Sequence, residues 1–263
     1  MSDDPILLLE NVSRRFGGLS VVEDLSFAVR RNSSTALIGP NGAGKTTVFN
    51  LITGVYPIDD GRILLDGVDI SDVPIRRRVR HGIARNFQNI RLMPHLSAIE
   101  NVMIGQHCRN NGPFGNLQPV GLWPRNRWRE EARAALAEAG LEGYERGAVL
   151  SLPYGVQKRI ELVRALMTKP RLLLLDEPAA GLNSAETAAL SDFLATVCRA
   201  RGITLLVVEH DMHFVGTLCD EVIVLNFGRK IAQGGAKAIR EDPLVKEAYF
   251  GQDDATAGAR HAG

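Results

Sequence analysis

The chain has 263 residues, of which 45% are hydrophobic and 23% charged, and it is long enough to bury a substantial core. Its 31 basic and 30 acidic residues leave a formal charge of +1, which gives no global attraction to nucleic acid. The longest apolar runs, at 172–175 and 203–208, are far shorter than the roughly 18 residues that span a bilayer. The sequence therefore predicts a chain that does not cross a membrane and has no nucleic-acid partner.

The N-terminus and the cysteines indicate a cytoplasmic setting. Residues 1–5 are acidic and lack the basic and apolar regions of a secretory signal. The three cysteines, Cys108, Cys198 and Cys219, are odd in number and have no CxxC spacing, which argues against a disulfide framework or a zinc site. We interpret them as packing residues in a reducing compartment.

Short apolar runs bounded by Gly, Pro and Asp alternate with helical stretches along much of the chain, and this alternation predicts an α/β domain. The predicted strands cover 6–12, 34–38, 63–65, 172–175, 203–208 and 222–225. The predicted helices between them cover 45–53, 157–167 and 185–201.

The middle of the chain, from about residue 89 to 155, has no strong strand pattern. Ser97 and Glu100 form a capping-box pattern for a helix through about residue 107. A stretch rich in Ala, Glu and Arg predicts a second helix at 127–139, and the Gly- and Pro-rich residues 110–125 are typical of a loop. We therefore expect a helical insertion within the α/β core.

Two further segments have a distinctive composition. The tail after Gly251 is small and polar, and we expect it to be disordered. The basic run from Arg76 to Arg80, together with Arg91, could face a membrane partner or lipid, but we interpret it as a solvated basic face.

A glycine-rich segment lies between a predicted strand and a predicted helix. Its sequence, Gly39-Pro40-Asn41-Gly42-Ala43-Gly44-Lys45-Thr46-Thr47, matches the phosphate-loop pattern GxxxxGK[ST]. Glycines allow backbone N–H groups to point at phosphate oxygens, and the helix N-terminus adds a partial positive charge. Lys45 would then reach the β- and γ-phosphates, and the Thr46 hydroxyl would bind magnesium. The alternative, a chance glycine-rich turn, is disfavoured because sequence and context agree.

A second functional pattern follows the leucine run at 172–175, which ends in Asp176-Glu177-Pro178. A buried strand that delivers a carboxylate to its C-terminal end is how P-loop NTPases present their magnesium-binding acid. We expect Asp176 to face the metal through a water molecule, and Glu177 to point to the attacking water as a general base or polariser. A strand that ends in Asp-Glu is by itself a weak indication of an NTPase site. Together with a phosphate loop it becomes a strong one.

The segment from Leu152 to Leu166 resembles the signature of ABC ATPases, in which LSGGQ is followed by a helix. Other elements of that family follow in the same order, from about Leu7 to Phe250. The resemblance implies that Phe16 stacks on adenine, that Gln88 contacts magnesium and the attacking water, and that His210 contacts the γ-phosphate. Outside this resemblance a core phenylalanine, a solvated loop glutamine and a structural histidine would be the ordinary interpretations.

The resemblance also implies the architecture and the cofactors. The expected fold class is α/β: an ABC-type P-loop NTPase core with a mixed sheet flanked by helices, an N-terminal antiparallel β portion and a helical insertion subdomain. Residues 1–251 would form one nucleotide-binding domain, with a core at about 1–88 and 156–251, an insertion at about 89–155, and a disordered tail at 252–263. The cofactors would be ATP and Mg²⁺.

The signature departs from the family pattern. Leu152 and Gly155 are retained, but Pro153 stands at the serine position, Tyr154 at the first glycine and Val156 at the glutamine. In the family this segment binds the γ-phosphate held by the opposing subunit, and proline offers neither a hydroxyl nor a backbone N–H. In the D-loop Gly181-Leu182-Asn183, Asn183 replaces the common aspartate. These changes suggest an asymmetric pair in which the partner is a related but different ATPase.

Within the ABC ATPases the chain resembles the LivG-type subunits of branched-chain amino acid importers. The segments that carry this resemblance are Phe16–Leu19, Ala84–Leu92, the insertion after Gln106, Pro178–Asn183 and Glu247–Gly251. It implies a second, LivF-type ATPase, two membrane permeases and a periplasmic binding protein. The chain would be peripheral, at the cytoplasmic face of the inner membrane.

Three alternatives remain open at this stage. Related ATPases serve transporters of urea, short amides or aromatic acids, or export lipopolysaccharide. Soluble ABC-type ATPases act on DNA or ribosomes, but they usually carry two nucleotide domains or a long coiled coil, and no sustained heptads occur here. A regulator that binds nucleotide without turnover is disfavoured by Glu177 and His210.

Overall fold

The computed structural model describes residues 4–86, 90–107 and 127–249. These residues form ten strands: β1 (Pro5–Phe16), β2 (Leu19–Arg30), β3 (Ser34–Ile38), β4 (Asp60–Leu65), β5 (Val68–Asp69), β6 (Ile83–Asn86), β7 (Leu172–Asp176), β8 (Thr204–Val208), β9 (Glu221–Asn226) and β10 (Arg229–Gly234). They also form the α-helices α1 (Lys45–Thr53), α2 (Ile75–Arg78), α3 (Ala98–Ile104), α4 (Arg127–Glu138), α5 (Tyr154–Leu166), α6 (Ser184–Arg201), α7 (Met212–Leu218) and α8 (Ala236–Glu241), and residues 243–249 are helical as well. Among these helices none has the length and hydrophobicity needed to cross a bilayer.

The strands form two sheets. One is antiparallel, in the order β2-β1-β4-β5, and the other has the order β10-β9-β3-β8-β7-β6. In the second sheet β9, β3, β8, β7 and β6 are parallel and only β10 is antiparallel, so the sheet is mixed. Because the carboxyl ends of parallel strands meet at one edge, the segments after β3, β8 and β7 lie side by side there.

The strands of the mixed sheet are apolar on both faces because each face is covered. Leu172 and Leu174 of β7 pack into a cluster with α1 and the antiparallel sheet. Leu173 and Leu175 face the opposite side, where they pack with α5, α6 and α7. This alternation explains the continuous leucine run, which is typical of a parallel strand buried on both faces.

A separate apolar cluster joins α3, α4 and α5. It includes Val102 of α3, Leu136 of α4 and Ile160 of α5, all with no exposed surface. Ser97 accepts a hydrogen bond from the Glu100 amide and Glu100 bonds back to Ser97, so the predicted capping box is confirmed. These helices build a layer of their own beside the sheets.

The six predicted strands and five predicted helices are present, with shifted ends. Helix α3 ends at Ile104 rather than near residue 107, and α5 begins at Tyr154, three residues earlier than predicted. Four strands, β2, β5, β6 and β10, and three short helices, α2, α7 and α8, were not predicted. Strand β6 has the sequence Ile-Ala-Arg-Asn, which carries no apolar run, and it is a strand because it pairs with β7.

The interpretation of the basic run as a solvated face is wrong for Arg78. This residue is 3% exposed, whereas Arg76, Arg77 and Arg80 are exposed. The Arg78 guanidinium donates to four backbone carbonyls, those of Leu51, Ile52, Ser71 and Val73. Arg78 thus ties the end of α1 to the segment before α2.

Several predictions concern residues outside the described ranges. They are the roles of Gln88, the packing of Cys108, the loop at 110–125 and the tail at 252–263. Of the other two cysteines, Cys198 is buried and Cys219 partly buried, which fits their interpretation as packing residues.

Candidate nucleotide site

The segment between β3 and α1 adopts a backbone path that requires glycine at two positions. A Cβ on Gly39 (φ +153°) would lie 2.1 Å from the carbonyl oxygen of Leu225, and one on Gly44 (φ +98°) would lie 2.8 Å from that of Val21. Gly44 is the N-cap of α1, so the first-turn N–H groups of this helix, which lack partners within the helix, open onto the loop. This geometry suits an anion.

Lys45 lies at the centre of the predicted site. Its ammonium donates to the carbonyl oxygens of Gly39 at 2.7 Å and Pro40 at 2.9 Å. Burial lowers the pKa of Lys45, and the nearby carboxylates of Glu177 and Asp176 act in the opposite direction. The structure therefore brings the lysine of the loop and the two acids after β7 together, although they are more than 130 residues apart in sequence.

Asp176 ends β7 and forms a buried ion pair with Arg85 of the neighbouring strand β6. The distance from Arg85 Nη2 to Asp176 Oδ2 is 2.9 Å, and both side chains are less than a tenth exposed. Arg85 also donates to Oδ1 of Asn50 in α1 at 2.7 Å. Burial raises the pKa of Asp176, and Arg85 opposes this shift. Arg85 was not among the predicted site residues, because its contact with Asp176 follows from the pairing of β6 with β7.

Glu177 has an unusual backbone conformation. Its φ is +49°, a left-handed value that costs a residue with a Cβ about 1 kcal/mol. The Glu177 amide donates to the carbonyl oxygen of Val208 at 2.9 Å, which ties the first residue after β7 to the end of β8. A non-glycine residue held in this conformation at a strand end is a frequent feature of functional sites.

His210 follows β8, which ends at Val208 as predicted. The His210 side chain is 68% exposed, and its Nδ1 lies 3.9 Å from Oε2 of Glu209, which is 1% exposed. The Glu209 carboxylate also accepts the His210 backbone N–H at 3.1 Å. The imidazole therefore projects from an anchored backbone at the same sheet edge as Asp176.

Phe16 ends β1 at the hairpin with β2, and 38% of its surface is exposed. The Tyr56 ring packs against Phe16 in an edge-to-face arrangement, with ring centres 5.1 Å apart and planes at 73°. The Arg14 guanidinium lies 4.8 Å from the Phe16 ring centre and forms an ion pair with Asp59 at 2.6 Å. Contacts with Tyr56 and Arg14 thus hold the Phe16 ring, which presents part of its surface to solvent.

The signature segment begins α5. Pro153 is the N-cap, with φ −54° and ψ 147°, and Leu152 accepts a hydrogen bond from the Gln157 side chain at 2.8 Å. Val156 is buried in the cluster that joins α3, α4 and α5. The departures from the family pattern at Pro153 and Val156 thus correspond to a helix start and a packing position.

Tyr154 and Gly155 lie against the start of α6 in the same chain. A Cβ on Gly181 would lie 3.0 Å from the Tyr154 ring, and one on Gly155 would lie 2.5 Å from Oε1 of Glu186. Asn183 caps α6 through a capping box with Glu186. Asparagine at this D-loop position is therefore a good N-cap as well as a departure from the family pattern.

The remaining predicted residues of the loop differ in their exposure to solvent. Asn41, Gly42 and Thr46 are exposed, whereas Ala43 is buried and Thr47 partly buried. Gln88 lies outside the described residues. In the described ranges no group of three or more His, Cys, Asp or Glu side chains is arranged to hold a metal ion.

Comparison with known proteins agrees with this geometry. The sequence model of the family "ABC transporter" matches residues 22–180. The chain is 40% identical to the high-affinity branched-chain amino acid transport ATP-binding protein BraF of Pseudomonas aeruginosa, over 94% of this chain and 98% of that protein. It is 38% identical to LivG of Escherichia coli K12, which has the same description, with the same coverage. A crystal structure of the ADP conformation of an ABC transporter ATP-binding cassette superposes with a TM-score of 0.84 at 30% identity, covering 94% of this chain and 99% of that one.

A phosphate loop between β3 and α1, with an acid at the end of β7 on the same mixed sheet, defines a P-loop nucleotide-binding cassette. The chain belongs to the ABC transporter family and is an ATP-binding ATPase whose hydrolysis is coupled to transport. The predicted fold class, with its mixed sheet, antiparallel β portion and helical layer, is confirmed.

Proposed function

We propose that this chain is the ATPase subunit that powers an importer of branched-chain amino acids. The catalytic part of this proposal rests on one observation: Lys45 lies close to Asp176 and Glu177 at the sheet edge where β3 and β7 end. The substrate class rests on the relatives, since BraF and LivG are both described as branched-chain amino acid transport proteins.

The nucleotide would lie along the loop between β3 and α1. Phe16 would stack on adenine, and Lys45 would leave the carbonyls of its own loop to bind the β- and γ-phosphates. Backbone N–H groups of the loop and of the first turn of α1 would bind the remaining phosphate oxygens. The proposed phosphate-binding residues are Gly39, Pro40, Asn41, Gly42, Ala43, Gly44, Lys45, Thr46 and Thr47.

Magnesium fits this site although the described residues place no cluster of acids around it, because nucleotide-bound Mg²⁺ takes one or two carboxylates and completes its shell with phosphate and water. The Thr46 hydroxyl and Asp176 are the ligands we assign, with Gln88 as a third. Arg85 holds Oδ2 of Asp176, which orients the carboxylate and leaves Oδ1 for the ion. Magnesium would neutralise charge that develops on the phosphates.

Hydrolysis would depend on Glu177 and His210. Glu177 would accept a proton from the water that attacks the γ-phosphorus, and His210 would donate a hydrogen bond to a γ-phosphate oxygen. Both residues follow adjacent strands, and the Glu177 amide bonded to Val208 couples their backbones. That coupling supports a shared role at one phosphate.

The signature and the D-loop would complete the site of a second ATPase. Leu152, Pro153, Tyr154, Gly155 and Val156, with Asn183, would face the nucleotide held by a LivF-type partner. Pro153 removes a hydroxyl and an N–H from that contact. The two sites of the pair would therefore be unequal.

We further propose that residues 1–251 act as one nucleotide-binding domain with a helical insertion at about 89–155. Two permeases and a periplasmic binding protein would complete the transporter. The chain would bind peripherally to the permeases at the cytoplasmic face of the membrane, and closure of the ATPase pair would move the insertion against them.

The test is a transporter reconstituted from this chain, its partner ATPase, the permeases and the binding protein. Glu177→Gln should lower ATP hydrolysis about 100-fold or more, because it removes the general base, and should trap an ATP-bound ATPase pair detectable by size exclusion. Leucine uptake should fall with it. Glu241→Gln, a change at an exposed carboxylate of α8 away from the site and from the insertion, should alter neither activity.

Three results would each contradict one part of the proposal. Full hydrolysis by Glu177→Gln would remove the assigned base, and uptake of urea in preference to leucine would remove the assigned substrate class. Strong hydrolysis by this chain alone, as a homodimer, would contradict the unequal pair.

A further inference from the structure

The turn that carries Glu177 is bonded on two sides by buried charged residues that lie outside the nucleotide site. After Asp176 the chain bends, and the Ala180 amide donates to the Glu177 carbonyl at 3.2 Å, which closes the bend. Residues 177–180 thus form a turn, the 177–180 turn. Because Glu177 has a left-handed backbone, the direction of its side chain depends on how this turn is held.

Lys158 of α5 lies on one side of the 177–180 turn. It is 6% exposed, and its ammonium donates to three carbonyl oxygens, those of Glu177 at 3.3 Å, Pro178 at 3.2 Å and Ala180 at 2.5 Å. These three bonds use all the donors that an ammonium has. The Tyr154 ring lies 5.4 Å from the ammonium and adds a cation–π contact.

Glu209 lies on the other side. Its Oε1 accepts the Ala179 amide at 2.8 Å, and its Oε2 accepts the amide of His210. Burial lowers the pKa of Lys158, and Glu209 is the strongest of the carboxylates that oppose this shift, so the two opposite charges act on each other across the turn. One buried cation thus binds the carbonyls of the turn, and one buried anion binds its amide.

Packing alone does not account for this pair. Burial of a charge is unfavourable, and an apolar residue of similar volume at the same position is often as stabilising or more so. A buried lysine that saturates three carbonyls of one turn does, however, fix the shape of that turn. The turn carries Glu177 at one end and continues into the D-loop at the other.

We propose that Lys158 and Glu209 are positioning residues for ATP hydrolysis, which hold the 177–180 turn so that the Glu177 carboxylate points at the attacking water. This inference rests on the proposed role of Glu177. Lys158 is also within one turn of helix from Tyr154 and Gly155 of the signature. A shift of α5 on contact with the partner would therefore be transmitted to Glu177.

The test compares Lys158→Met, Lys158→Arg and Lys169→Met in the full chain, assembled in the reconstituted transporter. Lys158→Met should lower kcat about 10- to 100-fold with KM for ATP unchanged, because misplacing a catalytic group by about 1 Å has an effect of this size. Lys158→Arg, which retains the charge and several donors, should recover most of kcat. Lys169, which is 61% exposed, is the matched control, and Lys169→Met should match the wild type.

Hydrogen exchange provides a readout that does not need turnover. In Lys158→Met the amides of Ala179, Ala180 and Leu182 should exchange faster than in the wild type, while those of β7 and α6 are unchanged. Glu177→Gln should not have this effect, because it leaves the bonds to the carbonyls in place.

The outcomes separate the two proposals. If Glu177→Gln is inactive while Lys158→Met keeps kcat within twofold of the wild type, the positioning role is wrong and the proposed function stands. If Glu177→Gln is fully active, the proposed function fails whatever Lys158 does. A parallel loss of kcat, nucleotide affinity and thermal stability in Lys158→Met, without recovery in Lys158→Arg, would overturn the positioning role in favour of a general structural one.

Discussion

Arg85 and Asp176 form the ion pair that fixes the acid beside the phosphate loop. Both side chains are less than a tenth exposed, and Arg85 also bonds to Asn50 of α1. Removal of one partner would leave the other charge buried without compensation. The pair therefore determines both the orientation of Asp176 and the stability of the sheet edge.

Arg85→Met should lower the free energy of unfolding by about 3 to 5 kcal/mol, the range for breaking a buried ion pair. Chemical denaturation measures this change. Arg171→Met is the matched control, because Arg171 pairs with Asp66 at a surface where its side chain is 49% exposed, and the expected loss is about 1 kcal/mol or less. Equal losses for the two variants would show that the buried Arg85–Asp176 pair contributes no more to the free energy of unfolding than the exposed Arg171–Asp66 pair.

At the scale of secondary structure, the start of α5 combines two roles. Pro153 gives the helix a fixed φ but no capping side chain, and the same residue removes a donor from the proposed contact with the partner's nucleotide. Its ψ of 147° is the extended value that an N-cap serine adopts. A serine should therefore fit here without strain.

Pro153→Ser should stabilise the chain by about 1 kcal/mol relative to Pro153→Ala, because the hydroxyl can cap the first turn of α5. Thermal unfolding tests this comparison. The same change should raise hydrolysis at the partner's site, measured in a Lys45→Ala background where this chain's own site is disabled. An unchanged rate there would argue that the signature of this chain does not contact the partner's nucleotide.

At the scale of the whole molecule, the apolar clusters divide the chain into a sheet core and a helical layer. The cluster of α3, α4 and α5 is distinct from the three clusters that cover the faces of the mixed sheet. Helix α5 contributes to both, since Leu162 packs on the sheet and Ile160 on the helices. This sharing couples the helical layer to the site, while each layer keeps a core of its own.

Leu136→Ala should destabilise the helical layer by about 2 to 5 kcal/mol, because Leu136 is fully buried there. Native-state hydrogen exchange should show faster exchange in α3 and α4, with β3, β7 and β8 unaffected. Leu150→Ala is the control, because Leu150 is 69% exposed. Equal acceleration in the sheet would mean that the two layers unfold as one unit.

The candidate site was largely predictable because its key residues lie in short local patterns. The loop from Gly39 to Thr47 and the Asp176-Glu177 pair are each recognisable within nine residues. The loop needs glycines at fixed positions, and the acids directly follow an apolar run, so both patterns can be read from neighbouring residues. Strand β6 and the roles of Arg85, Lys158 and Glu209 were not predicted. Their partners are distant in the chain, and nothing local to an arginine or a lysine indicates which carboxylate or carbonyl it will reach.

The sequence by itself determined the class of the protein, the phosphate loop, the two acids and the unusual signature at Pro153. Local backbone requirements and hydrophobic periodicity were sufficient for these. The tertiary structure alone decided that Arg85 orients Asp176, that Arg78 is buried on carbonyls, and that Lys158 and Glu209 bind the turn of Glu177. These contacts depend on strand order and helix packing, because a buried charge is stable only where the fold brings its partners within hydrogen-bond distance.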